Sequence, residues 1–290
     1  MKRYIFFIII LLFGCISEKI NDPCKNALPL KFEYSPDSSL LGIKDYSGIC
    51  IVNSSNYMTK YSFNEEEFSD LLDNFFWIDD NSVIFTNYTH RIADRLIFFN
   101  LSNNKQKVIF EIPHNEEGEY FNIKKVNRSY FILNKDFAFN PQTFELTKIS
   151  GVNLDSKYYR YYKDRVAILN ETNISIYENE HLESIYFDLS KFTNKSSNSI
   201  LSFEVSPSGR YIALEASKSA CARELAGQIC STAMILLYDR QTKMIILEDS
   251  GGEEKGLNNR AIYAFSPDDK KFIYLFSMEP LSKLREVRLE

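Results

Sequence analysis

The sequence predicts an all-β fold, a β-propeller of six four-stranded antiparallel blades. Three observations carry that expectation. The chain holds 23 Phe and 18 Tyr against only 10 Gly and 8 Pro, and an aromatic, β-branched excess favours strands over helices. A tight-turn signal followed by a short apolar strand recurs six times along the chain. No stretch keeps a 3.6-residue apolar period for more than about two turns. Short helices are expected only near Phe68–Phe75 and between Cys221 and Cys230.

The N-terminus comes first. Lys2 and Arg3 form a short positive region, and Tyr4–Phe13 is an unbroken apolar run. A helix crossing a bilayer needs about 20 apolar residues, and Ser17, Glu18 and Lys19 end this run too early. It therefore reads as the hydrophobic region of a signal peptide spanning residues 1–14. Leu12-Phe13-Gly14-Cys15 resembles the lipobox of prokaryotic lipoproteins, in which a small residue precedes a cysteine that is lipidated and becomes the mature N-terminus. The resemblance implies an acylated Cys15 and a bilayer as its partner. Two acyl chains at about 0.8 kcal/mol per buried CH₂ give durable anchoring. Ile16, where an Asp would retain a lipoprotein at the inner membrane, implies the outer membrane facing the periplasm if the cell is Gram-negative. Residues 15–26 are polar, contain Pro23 and serve as a tether; the folded domain spans 27–290.

Cysteine usage agrees with export. Five cysteines less the lipidated one leave four, an even number for an oxidising compartment. Three pairings are open, and locality favours Cys24 with Cys50 and Cys221 with Cys230. No CxxC occurs, and His90, His114 and His181 lack ligand spacing, so no metal and no cofactor is expected.

The repeat is set by its turns. They are Ser35-Pro36-Asp37, Ile78-Asp79-Asp80, Val126-Asn127-Arg128, Tyr162-Lys163-Asp164, Ser206-Pro207-Ser208-Gly209 and Ser266-Pro267-Asp268. The strands that follow start at Leu40, Val83, Tyr130, Val166, Tyr211 and Phe272, at spacings of 43, 47, 36, 45 and 61. The long spacing contains Cys221 and Cys230, which places an insertion there. Hairpins complete each unit: Leu96–Phe99 with Val108–Ile112, and Met234–Tyr238 with Met244–Leu247, flank polar turns. A lone four-stranded sheet cannot bury both faces, whereas sheets arranged radially pack against two neighbours each. The last repeat lacks an outermost strand, and Ala27–Tyr34 is expected to supply it by pairing with the C-terminal strands.

Ser-Pro-Asp followed by an apolar strand, as in Phe32–Ile43 and Phe265–Leu275, is similar to the repeat of TolB-like and WD40-like propellers. So is Leu236-Leu237-Tyr238-Asp239-Arg240-Gln241-Thr242-Lys243. The motif is crisp in three repeats and lacks Pro in the middle three. Pro fixes φ and Asp accepts backbone N–H bonds, so these aspartates are expected to launch the second strand of each blade and to do no chemistry.

A net charge of −5, from 34 basic and 39 acidic residues, excludes a chain built to neutralise phosphates, so nucleic acid is not an expected partner. No Gly-x-Ser-x-Gly elbow, HExxH, Walker loop or dinucleotide fingerprint is present. Lys157–Lys163 alternates aromatics with bases and reads as the innermost strand of a blade. The expected function is a non-catalytic protein-binding or scaffolding module displayed at the cell envelope, with another envelope protein as partner. Its rim is expected to include His90, Arg91 and Asp94 in one connection and Arg223 and Glu224 in the Cys-bracketed insert. Carbohydrate or peptide capture is the second reading, and a glycosidase or lyase using the propeller mouth the third.

Overall fold

A computed structural model describes residues 24, 27–64, 71–89, 93–113, 123–125, 131–133, 137–148, 159–162, 165–170, 173–178, 181–188, 200–219, 231–251, 260–277 and 279–290. Among them, 23 strands form six antiparallel sheets. The first sheet contains β1 (Pro29–Tyr34), β2 (Leu40–Asp45), β3 (Gly48–Asn53) and β4 (Thr59–Asn64). The second contains β5 (Leu71–Asp79), β6 (Ser82–Thr89), β7 (Ala93–Asn100) and β8 (Lys105–Pro113). The third contains β9 (Ile123–Lys125), β10 (Phe131–Leu133), β11 (Phe137–Asn140) and β12 (Glu145–Lys148). The fourth contains β13 (Tyr159–Tyr162), β14 (Arg165–Asn170), β15 (Asn173–Glu178) and β16 (His181–Tyr186). The fifth contains β17 (Ile200–Val205), β18 (Tyr211–Ser219), β19 (Ser231–Asp239) and β20 (Met244–Ser250). The sixth contains β21 (Ala261–Phe265), β22 (Lys271–Phe276) and β23 (Arg285–Arg288). Within every sheet, strands pair in chain order.

The cores lie between sheets. Period-2 alternation sends successive side chains to opposite faces, and each face meets a neighbour. In β18, Ile212, Leu214 and Ala216 pack with Ile174 and Ile176 of the fourth sheet. Tyr211 and Ala213 of the same strand join Phe272 and Phe276 of the sixth. Phe75, Trp77 and Phe85 join Ile49 and Ile51, and Phe131 and Phe139 join Phe76 and Ile84. The fifth core returns to the start: Phe32, Tyr34, Leu41 and Ile43 pack on Ile262, Ala264, Ile273 and Leu275. Among the described residues five cores join neighbouring sheets, and the first strands of the sixth and first, first and second, and fourth and fifth sheets lie against one another, the arrangement of a β-propeller.

Three expectations are corrected. Pro29–Tyr34 pairs with β2 in its own sheet, so it is the first strand of the first blade and not the outermost strand of the last. The ring closes by packing, through the core shared by the first and sixth sheets and a bond from the Leu281 N–H to the Ala27 carbonyl of 3.1 Å. The sixth sheet has three strands among the described residues where four were expected. The helical period near Phe68–Phe75 gives way to strand β5 from Leu71, because Phe75 and Trp77 alternate into one core while Phe76 enters another. A 3-10 turn at Leu281–Lys283 is the only helical element among the described residues.

Packing between blades leaves little slack. A Cβ added to Gly42 in β2 would lie 2.1 Å from Cε1 and 2.4 Å from Cζ of the buried Phe75 ring. Gly42→Ala is expected to cost about 1–3 kcal/mol by overpacking, read as a lower midpoint in denaturant with an unchanged slope.

Candidate functional site

Up-and-down pairing gives the ring two unlike faces. One carries the short turns between first and second strands and between third and fourth strands. The other carries the connections between second and third strands and the crossovers to the next sheet.

The short-turn face is a structural network. Ser35 Oγ accepts the Leu40 N–H at 2.9 Å and donates to Asp37 Oδ1 at 2.6 Å, which also accepts the Ser39 N–H at 2.9 Å. Ser266 and Asp268 repeat the pattern with Lys271 and Lys270. Ser206 accepts the Tyr211 N–H, and Ser208 stands where the others have Asp. The fourth turn residue takes positive φ in each case: Ser38 at 64°, Gly209 at 83° and Asp269 at 58°. Burial pushes the Asp37 and Asp268 carboxyls up, but hydrogen bonds from Ser35 and Ser39, and from Ser266 and the Lys270 N–H, prevail and hold them below the usual carboxylate range. These aspartates are occupied in launching strands. The turns also bridge blades. The Asp37 N–H donates to Asp80 Oδ1 of the second sheet at 2.8 Å, and the Ser208 N–H to Asp269 Oδ2 of the sixth at 2.8 Å.

The opposite face is shaped by two projecting hairpins. Strands β6 and β7 have 8 residues each and β18 and β19 have 9, whereas β2 and β3 have 6 each. At about 3.3 Å per residue, the longer hairpins reach roughly 7–10 Å further. Pairing continues to Thr89 with Ala93 in the second sheet and to Ser219 with Ser231 in the fifth. The two sheets lie across the ring from each other. Of the expected rim residues, Asp94 is placed in β7 opposite Tyr88 and Ile112. His90, Arg91, Arg223 and Glu224 lie outside the described residues, as do Cys15, Cys221 and Cys230. Topology nonetheless brings the strands flanking both rim segments to one face. Tyr159–Tyr162, inside the alternating aromatic and basic run, is the first strand of the fourth sheet.

Beneath the fifth-sheet hairpin lies an ion pair with a buried carboxylate and a half-exposed arginine, which sequence reasoning missed. Glu215 in β18 is wholly buried, and the Arg260 side chain is 53% exposed. Arg260 Nε donates to Glu215 Oε1 at 2.6 Å and Nη2 to Oε2 at 2.9 Å. The Ala261 N–H donates to Oε1 at 3.0 Å, and Ser202 Oγ to Oε2 at 2.7 Å; Ser202 Oγ also contacts Tyr263 Oη at 2.8 Å. Hydrogen bonding to Glu215 raises the Arg260 pKa. With both oxygens doubly engaged, this carboxylate is a bolt between the fifth and sixth sheets. Its sequence signal was a lone Glu at an inward position of the apolar strand Ile212-Ala213-Leu214-Glu215-Ala216.

The chain enters near this face. Cys24 and Cys50 are joined by a disulfide, and Cys50 lies near the start of β3. Among the described residues, no group of three His, Cys, Asp or Glu side chains could hold a metal ion, and no helix is long and apolar enough to cross a membrane.

No protein-family model matches the chain. No curated protein matches it either. Solved structures similar to it include the Cps50 (Swd1) β-propeller domain of Myceliophteria thermophila, at 8% identity, 91% of this chain, 97% of that one and a TM-score of 0.47. A protein assigned as TolB from Agrobacterium tumefaciens gives 10% identity, 91% of each chain and a TM-score of 0.47. Hsv2 of Kluyveromyces lactis gives 11% identity, 86% of this chain, 70% of that one and a TM-score of 0.42. These similarities say nothing about what the chain binds.

Proposed function

We propose that the protein is a lipid-anchored envelope lipoprotein whose propeller binds another envelope protein without catalysing a reaction. One observation carries the binding half: two hairpins, on opposite sides of the ring, project from the same face and flank the segments that hold Asp94 and the Cys221–Cys230 insert. Rigid scaffolds that present loops in this way favour recognition. Asp37 and Asp268 are engaged in turns, and Glu215 is engaged by Arg260. The N-terminal sequence carries the anchoring half, with Cys15 as the acylated residue and the Cys24–Cys50 disulfide in keeping with an oxidising compartment.

Two experiments test the halves separately. Cys15→Ser is expected to abolish incorporation of labelled fatty acid, and equal labelling of both proteins would refute anchoring at this residue. Replacing residues 222–229 with a Gly/Ser loop is expected to abolish partner capture while thermal unfolding stays nearly unchanged. Capture that survives the exchange would refute the rim assignment.

A further inference from the structure

Among the described residues the sixth sheet has three strands, and β23 forms its outer edge. The Ser266 N–H bonds the Lys271 carbonyl, so the main-chain groups of Lys271, Ile273 and Leu275 face β21. Those of Lys270, Phe272 and Tyr274 then face β23, as the bond from the Leu289 N–H to the Lys270 carbonyl at 2.9 Å requires. By the same alternation, Arg285 and Val287 turn their N–H and C=O groups inward. Glu286 and Arg288 turn theirs outward, where no strand among the described residues meets them. Glu286 counts as exposed although its side chain is only 27% exposed, which places much of that exposure on its main chain.

An unprotected edge invites another strand. Three of the outermost pairings, β3 with β4, β7 with β8 and β19 with β20, carry a register shift that blunts the edge. The β22–β23 ladder runs without one and contains no Pro, as do the ladders of β11 with β12 and β15 with β16 apart from the turns; among these three edges, β23 belongs to the sheet with three strands.

The side chains select the occupant. Antiparallel pairing of two such edges must place outward residues opposite outward residues. Three two-fold registers do so. One sets Glu286 against Glu286, one sets Arg288 against Arg288, and one sets Glu286 against Arg288 twice with Val287 facing Val287 on the axis. Like charges directly opposed destabilise a sheet and opposite charges stabilise it. Only the third register is self-complementary. Among the described residues its partners are also available: Tyr57 and Lys271 both use Glu286 Oε2, leaving Oε1, and Arg288 makes no ion pair.

We propose that β23 is a self-association surface. A second copy of the chain adds its own β23 antiparallel about a two-fold axis at Val287, forming a continuous six-stranded sheet across two propellers. The interface is isologous, as closed dimers require.

Sedimentation of the full chain in detergent over a concentration series is expected to show a monomer–dimer equilibrium. Arg288→Glu and Glu286→Arg should each weaken it about tenfold or more, since each sets like charges opposite one another. An equimolar mixture of the two variants should restore dimers, because one chain then carries two Arg and the other two Glu. Arg288→Glu breaks no ion pair among the described residues, and an unchanged melting temperature of the monomeric variant separates its effect from one on folding. A wild-type chain that stays monomeric throughout overturns the proposal, as do single variants that dimerise like wild type. Slow exchange of the Glu286 and Arg288 amides in a monomer would mean that the chain's own residues cover the edge, and also overturns it.

Discussion

Arg260→Met is expected to destabilise the protein by about 3 kcal/mol, because it leaves the Glu215 carboxylate buried without its cation. The Ala261 N–H and Ser202 hydroxyl remain as donors, and solvent reaches the Arg260 side, so the loss should sit at the low end for a broken buried pair. At about 2–4 °C per kcal/mol for a domain of this size, the melting temperature should fall by roughly 6–12 °C. The double variant Glu215→Leu with Arg260→Met should recover most of that, since exchanging a buried pair for apolar groups is often neutral or better. A single variant that melts like wild type would show that the carboxylate is solvated and that the link between the fifth and sixth sheets is weaker than its geometry implies.

Cys50→Ser is expected to have a comparable effect by a different route. The Cys24–Cys50 bridge closes a loop of 26 residues, for which chain entropy gives about 3–4 kcal/mol. The bridge also pins the entry of the chain into the core shared by the first and sixth sheets, where Cys24 is fully buried. Loss of the bond should therefore loosen the closure of the ring, not one blade alone. Chemical denaturation with and without reductant checks this: under reductant wild type and Cys50→Ser should share one midpoint, and without it wild type should lie well above the variant. Equal wild-type midpoints in both conditions would contradict it.

Turn chemistry made most of the architecture readable from sequence. Ser35-Pro36-Asp37 and Ser266-Pro267-Asp268 each marked the junction of a first and second strand, where Ser and Asp side chains satisfy the backbone. The hairpins around Ser102–Lys105 and Asp239–Thr242 were visible because polar turns interrupt apolar runs. Closure of the ring was not readable. Ala27–Tyr34 carries the alternation of a strand, but alternation does not say which strand it pairs with. Phe32 and Tyr34 do meet the sixth sheet, face to face through a core and not edge to edge through hydrogen bonds. Leu71–Asp79 misled for a related reason: a strand buried on both faces shows a continuous apolar run, as Phe75, Phe76 and Trp77 do, and loses the period that distinguishes it from a short helix. The bridges from Asp80 and Asp269 to neighbouring turns needed three-dimensional proximity, although both acids stand within the turn segments themselves.

That the protein works by contact through its long-loop face can be tested within a single blade. A photo-crosslinking residue at position 94 would sit at the projecting end of β7, and one at Ser102 would sit in the β7–β8 turn on the opposite face. In intact membranes, position 94 is expected to yield a discrete protein adduct and position 102 none. Equal adducts from both positions, or an adduct from position 102 alone, would contradict the assignment of the binding face.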